Sequence, residues 1–174
     1  MIMDMEYSYE EAHSARFQQV LERLKQEHVA LKRELEHVQE LTGHMAAKLG
    51  TEEARKLLRE IKQEMETLLC KLEEHEEWEE AEVLPVLAGY ASQGLEPSFL
   101  TSAWVLEEEH KQTERFVRSF LAYAEQCETA SLPKLKKAVS LLCVACSVVE
   151  DHLLAEEETV LPVAEEILNE CQDE

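Results

Sequence analysis

Six side chains in this sequence have the types and spacing to hold metal ions. His75-Glu-Glu-Trp-Glu-Glu-Ala-Glu-Val-Leu-Pro85 aligns without gaps on His152-Leu-Leu-Ala-Glu-Glu-Glu-Thr-Val-Leu-Pro162, and the two share H-x3-E-E-x2-V-L-P. Upstream of each copy, Leu24-Lys-Gln-Glu-His28 aligns with Leu106-Glu-Glu-Glu-His110. One half thus supplies His28, His75 and Glu79; the other supplies His110, His152 and Glu156. A duplicated helical hairpin is the simplest source of such a repeat.

Helical periodicity assigns each His to a face. His28 shares its face with Phe17, Leu21, Leu24, Leu31 and Leu35; His75 with Leu57, Ile61, Met65, Leu68 and Leu72. His110 shares one with Phe99, Ala103, Leu106, Val117 and Leu121; His152 with Leu141, Ala145, Val148 and Val149. All four therefore point into the core. Residues four apart differ by only about 40° around a helix and about 6 Å along it, so Glu79 and Glu156 also face inward. The other histidines weigh less: His37 and His44 are displaced from the His28 face, and His13 lies about 22 Å along the helix from His28.

An unpaired carboxylate in a core is costly, so this polar cluster needs compensation. A buried ion-pair or hydrogen-bond network would supply it; metal ions supply it more simply. Imidazole with carboxylate suits iron, manganese or zinc, and two bridging carboxylates suit a pair of ions.

Four helical stretches must position these groups. The first runs from about Tyr9 to Lys48, ended by Gly43 and Gly50; the second starts at Thr51 and reaches about Ala88, with Pro85 inside it. After a loop from Gly89 to Pro97, the third runs from about Ser98 to Cys127. A turn from Glu128 to Pro133 leads to the fourth, which reaches about Asn169 and contains Pro162. Amphipathic helices with short connections make an all-α, up-down-up-down four-helix bundle, with kinks expected at Pro85, Pro162 and Gly43.

Composition agrees. The 174 residues suit one domain, spanning 1–174 with its core at about 10–170, and only four Gly and four Pro favour long helices. With 17 Lys+Arg against 38 Asp+Glu, the formal charge of −21 argues against nucleic acid and anionic membrane surfaces as partners. No apolar stretch is expected to approach the roughly 20 residues that span a bilayer. The first residues show no basic and apolar leader pattern, and five cysteines are an odd number for a disulfide framework, so a cytoplasmic setting is expected. Cys143 and Cys146 form a CxxC within an apolar run and read as core thiols rather than as a zinc or redox motif.

At His28, His75-x3-Glu79, His110 and His152-x3-Glu156, with both V-L-P tails, the sequence resembles a hemerythrin-like (HHE) domain. The resemblance implies a four-helix bundle with a non-heme di-iron centre. It makes His28, His75, His110 and His152 terminal imidazole ligands, with Glu79 and Glu156 bridging the two irons beside an oxo or hydroxo group. Oxygen-carrying hemerythrins have a fifth His four residues after the third-helix His, where this chain has Glu114. Their last bridging carboxylate is an Asp five residues after the fourth-helix His, whereas Glu156 is four after, with Glu157 next to it. The pattern is closer to iron-sulfur-repair di-iron proteins and to hemerythrin-like iron and oxygen sensors. Glu114 is then either a seventh ligand or an ion-pair partner of Arg118, and Glu76 reads as a surface residue. A ferritin-like site, which needs Glu-x-x-His on two helices, fails because Leu72 and Val149 precede His75 and His152 by three.

Three functions follow as expectations. The first is a module whose iron pair binds or senses O2 or NO. The second is a redox enzyme or iron donor, acting on peroxide, NO, ferrous iron or damaged clusters. The third is a metal-free structural or adaptor bundle. Glu114 in place of a His favours the second over the first, because an anionic oxygen donor stabilises ferric iron. A protein partner is left open.

Overall fold

The computed structural model describes the backbone of residues 2–91, 98–127 and 131–173, and the side chains of residues 15–88, 104–127 and 131–169. Four helical rods account for nearly all of it. The first is α1 (Ile2–Ala47). The second is α2 (Glu52–Trp78), a π-helical turn (Glu79–Val83) and α3 (Leu84–Ala91) in line. The third and fourth are α4 (Ser98–Glu125) and α5 (Leu132–Asp173). No strand occurs among the described residues.

Local chemistry sets the boundaries, and not always as expected. Gly43 lies inside α1 instead of ending it, and a Cβ there would meet nothing within 4 Å. One glycine costs a helix only about 1 kcal/mol, which burial of Leu41, Thr42 and Met45 beside it offsets. Gly50 is the true stop, at φ 90°, the left-handed conformation that closes helices. The next helix opens at Thr51, whose hydroxyl accepts from the Ala54 N–H at 3.3 Å. Thr51→Ala is expected to cost about 1 kcal/mol in denaturant unfolding, the usual worth of an N-cap.

The two motif prolines behave differently. Pro85 follows the π-helical turn, in which the Leu84 N–H bonds the Glu79 carbonyl five residues back. A proline cannot donate to the carbonyl four before it and clashes with it, and a widened turn relieves both problems. Pro162 instead lies within a continuous α5, where the carbonyl it leaves free belongs to exposed Glu158. The loop from Gly89 to Pro97 and the turn from Glu128 to Pro133 fall largely outside the described residues.

α1 packs on α2 and α5, and α4 packs on the same two. Cross-helix pairs step down one rod as they step up the next. Glu34 meets Lys71, Glu27 meets His75 and Arg16 meets Glu82. Gln39 meets Glu150, Lys32 meets Glu157 and Lys25 meets Glu165. The core has two parts. One gathers Leu35, Ile61, Met65, Leu68, Phe120 and Leu142; the other gathers Phe17, Leu24, Leu87, Leu106, Val160 and Ile167. A polar layer lies between them.

Two expectations need correction here. α5 does contain a stretch long and apolar enough to cross a membrane by length and composition. Its Leu135, Ala138, Leu142, Ala145, Val149 and Leu153 are buried in the bundle, as in a core helix. Of the CxxC pair only Cys146 is a core thiol, its pKa pushed up to about 12 by burial, while Cys143 is exposed. Both are free thiols.

Candidate metal centre

The polar layer is made of the six side chains singled out by their spacing. His28 (1% exposed), His75 (2%), His110 (2%), His152 (3%), Glu79 (0%) and Glu156 (0%) all come together there. His37 and His44 are exposed, as their faces predict.

The imidazoles form two pairs. His28 and His75 stand edge to face with ring centres 5.0 Å apart, and His110 and His152 do the same at 4.9 Å. Glu156 lies between the pairs and divides its oxygens between them. Oε2 is 2.9 Å from His28 Nε2 and 3.5 Å from His75 Nε2. Oε1 is 2.9 Å from His152 Nε2 and 3.2 Å from His110 Nε2. Each oxygen with its two imidazoles makes a buried set whose donor atoms lie within 4.8 Å of one another.

Two further carboxylates complete the layer. Glu79, fully buried, makes no hydrogen bond through either oxygen; its nearest imidazole contact is 3.4 Å to His110 Nε2. Glu76 is 3% exposed, which overturns its reading as a surface residue, and its Oε1 is also unbonded, 3.8 Å from His152 Nε2. Glu114 stands at the rim, 35% exposed, with Arg118 Nε at 3.5 Å.

Electrostatics follow from this crowding. Burial is the largest influence on His75 and His110 and disfavours their charge, but the surrounding carboxylates together outweigh it: Glu156 for both, with Glu27 beside the first and Glu79 and Glu80 near the second. Their pKa values rise to about 9 and about 11. Burial would also raise Glu156, yet the four imidazoles hold it well below the usual carboxylate range. Glu79 and Glu76 have less compensation: burial raises both, Glu76 to about 8.

Sequence reasoning missed the carboxylates behind the imidazoles. Glu27 accepts a hydrogen bond from His75 Nδ1 at 2.9 Å, and Glu80 accepts one from His110 Nδ1 at 2.9 Å. Glu157 lies 3.5 Å from His28 Nδ1 and is itself held by Lys32 at 2.5 Å. Arg23 holds Glu27 at 2.7 Å while its guanidinium lies over Trp78. Such partners fix ring orientation and make the opposite nitrogen a better donor. A signal was present: each of the three is the chain neighbour of an inward His or Glu, turned about 100° from it toward the adjoining helix.

The residues fit cations. Glu79 Oε1 and Oε2, Glu76 Oε1 and the ring nitrogens of His28 and His152 are buried with no hydrogen-bond partner. Buried polar groups are rarely left so. Nitrogen and oxygen donors converging in this way define a helical-bundle cation-binding protein. A family model described as the Hemerythrin HHE cation binding domain matches residues 19–164, and the chain belongs to that family. No match was found among curated proteins or among solved structures.

Proposed function

We propose that this chain is a non-heme di-iron protein whose metal pair interacts with O2, NO or peroxide. One observation carries the reading: Glu156 presents one oxygen to each imidazole pair, which is the geometry of a carboxylate bridging two ions. His28 and His75 would hold one ion and His110 and His152 the other. Glu79 would supply a second carboxylate to the pair, and buried Glu76 rather than Glu114 at the rim would supply a third. The up-down-up-down order of the rods is part of the same proposal, supported by cross-helix pairs that run in opposite senses along neighbouring rods.

When bound, iron supplies one-electron redox chemistry and an open position for a small ligand. The chain's own groups do the rest. Glu27 and Glu80 orient His75 and His110 through Nδ1, and Glu157 approaches His28 Nδ1 at 3.5 Å. Leu24, Leu72, Leu106 and Leu153, all 3% exposed or less, limit water above and below the layer.

A second reading, redox enzyme or iron donor, is favoured by Glu76. It places a third carboxylate beside His110 and His152, and anionic oxygen donors stabilise the ferric state. Anaerobic ferrous loading is expected to give about two irons per chain, as the two-bridge donor set requires. A protein that takes up no iron would overturn both readings. Exposing the reduced protein to O2 and then removing the gas separates them. Spectral recovery without reductant marks reversible binding; lasting oxidation marks redox chemistry.

A further inference from the structure

We propose that Glu109 is the positioning carboxylate of His152, accepting its Nδ1–H and closing a ring of four outer carboxylates around the centre. The inference deepens the metal-binding reading and rests on it. Two links of the ring are hydrogen bonds and a third is a 3.5 Å approach of Glu157 to His28 Nδ1, and all three run in one sense around the bundle. Glu27 on α1 serves His75 on the second rod; Glu80 on that rod serves His110 on α4; Glu157 on α5 serves His28 on α1. The link still to be made runs from α4 to α5, onto His152.

Four observations converge on Glu109 for that link. The internal repeat aligns Glu109 with Glu27 and His152 with His75. The two imidazole pairs have matching geometry, with interplanar angles of 74° and 86°. Glu109 precedes His110 by about 100° of helix turn, on the flank of α4 that carries Tyr123. That flank faces α5, since Lys137 lies over the Tyr123 ring at 5.0 Å. Finally, Glu109 Oε2 and His152 Nδ1 are both buried without a hydrogen-bond partner. An acceptor and a donor left over on adjoining helices at one level are complementary. The link also differs from its counterpart. Arg23 pins Glu27, whereas the repeat places Val105, 40% exposed, at the matching position before Glu109.

The test uses the full chain, metal-free with 15N-labelled histidine and separately titrated with Co(II). In the wild type and in Glu109→Gln, the Nδ1 signal of His152 is expected to show a hydrogen-bonded N–H. In Glu109→Ala that Nδ1 signature is lost, while His75 is unchanged. Co(II) affinity should fall by about 10–100-fold in Glu109→Ala, recover in part in Glu109→Gln, and fall similarly in Glu27→Ala, the cost typical of losing an outer-sphere partner. Unaltered His152 nitrogen shifts with Co(II) affinity within about twofold of wild type would overturn the proposal, as would a change confined to another histidine. If the wild type takes up no Co(II), the metal-binding reading fails, and the Nδ1 hydrogen-bond signature of His152 in the metal-free protein still decides the role of Glu109.

Discussion

Glu156→Ala is expected to take iron loading from about two ions per chain to near none, because both positions lose the oxygen that joins them. Its reach is the cause: the one carboxylate is within 3.5 Å of all four imidazoles. No neighbour can replace it, since Glu157 is turned toward His28 Nδ1 and Lys32 and Glu79 already lies beside His110. The metal-free protein should suffer too. Its charge balances the raised imidazoles of His75 and His110, and removing one partner of a buried ionic cluster costs about 3–5 kcal/mol. Glu156→Gln separates the effects, retaining the volume while losing the charge. Metal analysis and denaturant unfolding read the two out, and a Glu156→Ala protein still holding two irons would sink the bridging assignment. Glu114→Ala is the control: a rim residue paired with Arg118 should leave loading unchanged.

The other large effect is on pH. In the metal-free fold His75 and His110 lie above their ordinary value, and so does Glu76. Groups raised on folding stabilise below their unfolded pKa and lose that contribution as pH rises through the folded value. Metal-free stability should therefore fall between about pH 6.5 and pH 9, by about 3 kcal/mol from His75 alone at full deprotonation. Glu156 has the opposite sign, its contribution disappearing as pH falls below the usual carboxylate range. Metal binding requires deprotonated ligands, so the loaded protein escapes the alkaline loss. The gain in Tm on loading should grow from pH 6.5 to 9. Loading near pH 7 should release about three protons, those of His75, His110 and Glu76, into a weakly buffered indicator solution. Loading without proton release, or a Tm gain flat with pH, would contradict this account.

Much of the centre was legible because helices repeat every 3.6 residues. The four His and both Glu were assigned to interior faces by that period alone, and burial agrees at each. Glu76 was not legible for the same reason. On a helical wheel it lies about 100° from His75, whereas Glu114 lies only about 40° from His110, so periodicity ranks them in the wrong order of burial. What decides is the neighbouring rod: Arg118 draws Glu114 to the rim, whereas Glu76 faces the imidazole of His152 inside the bundle. The outer carboxylates escaped for a similar cause, because their meaning depends on which helix stands beside them. The π-helical turn was likewise hidden, since both copies of H-x3-E-E-x2-V-L-P read alike while only the first widens.

The direction shared by Glu27, Glu80 and Glu157 has a mechanical consequence. Each link crosses from one rod to the next at a single height, so together they act as a hoop around a barrel of staves. Sliding any stave along the bundle axis would pull a carboxylate off an imidazole and swing that ring out of aim. Helix register and the direction of the metal-binding nitrogens are thus one mechanical variable.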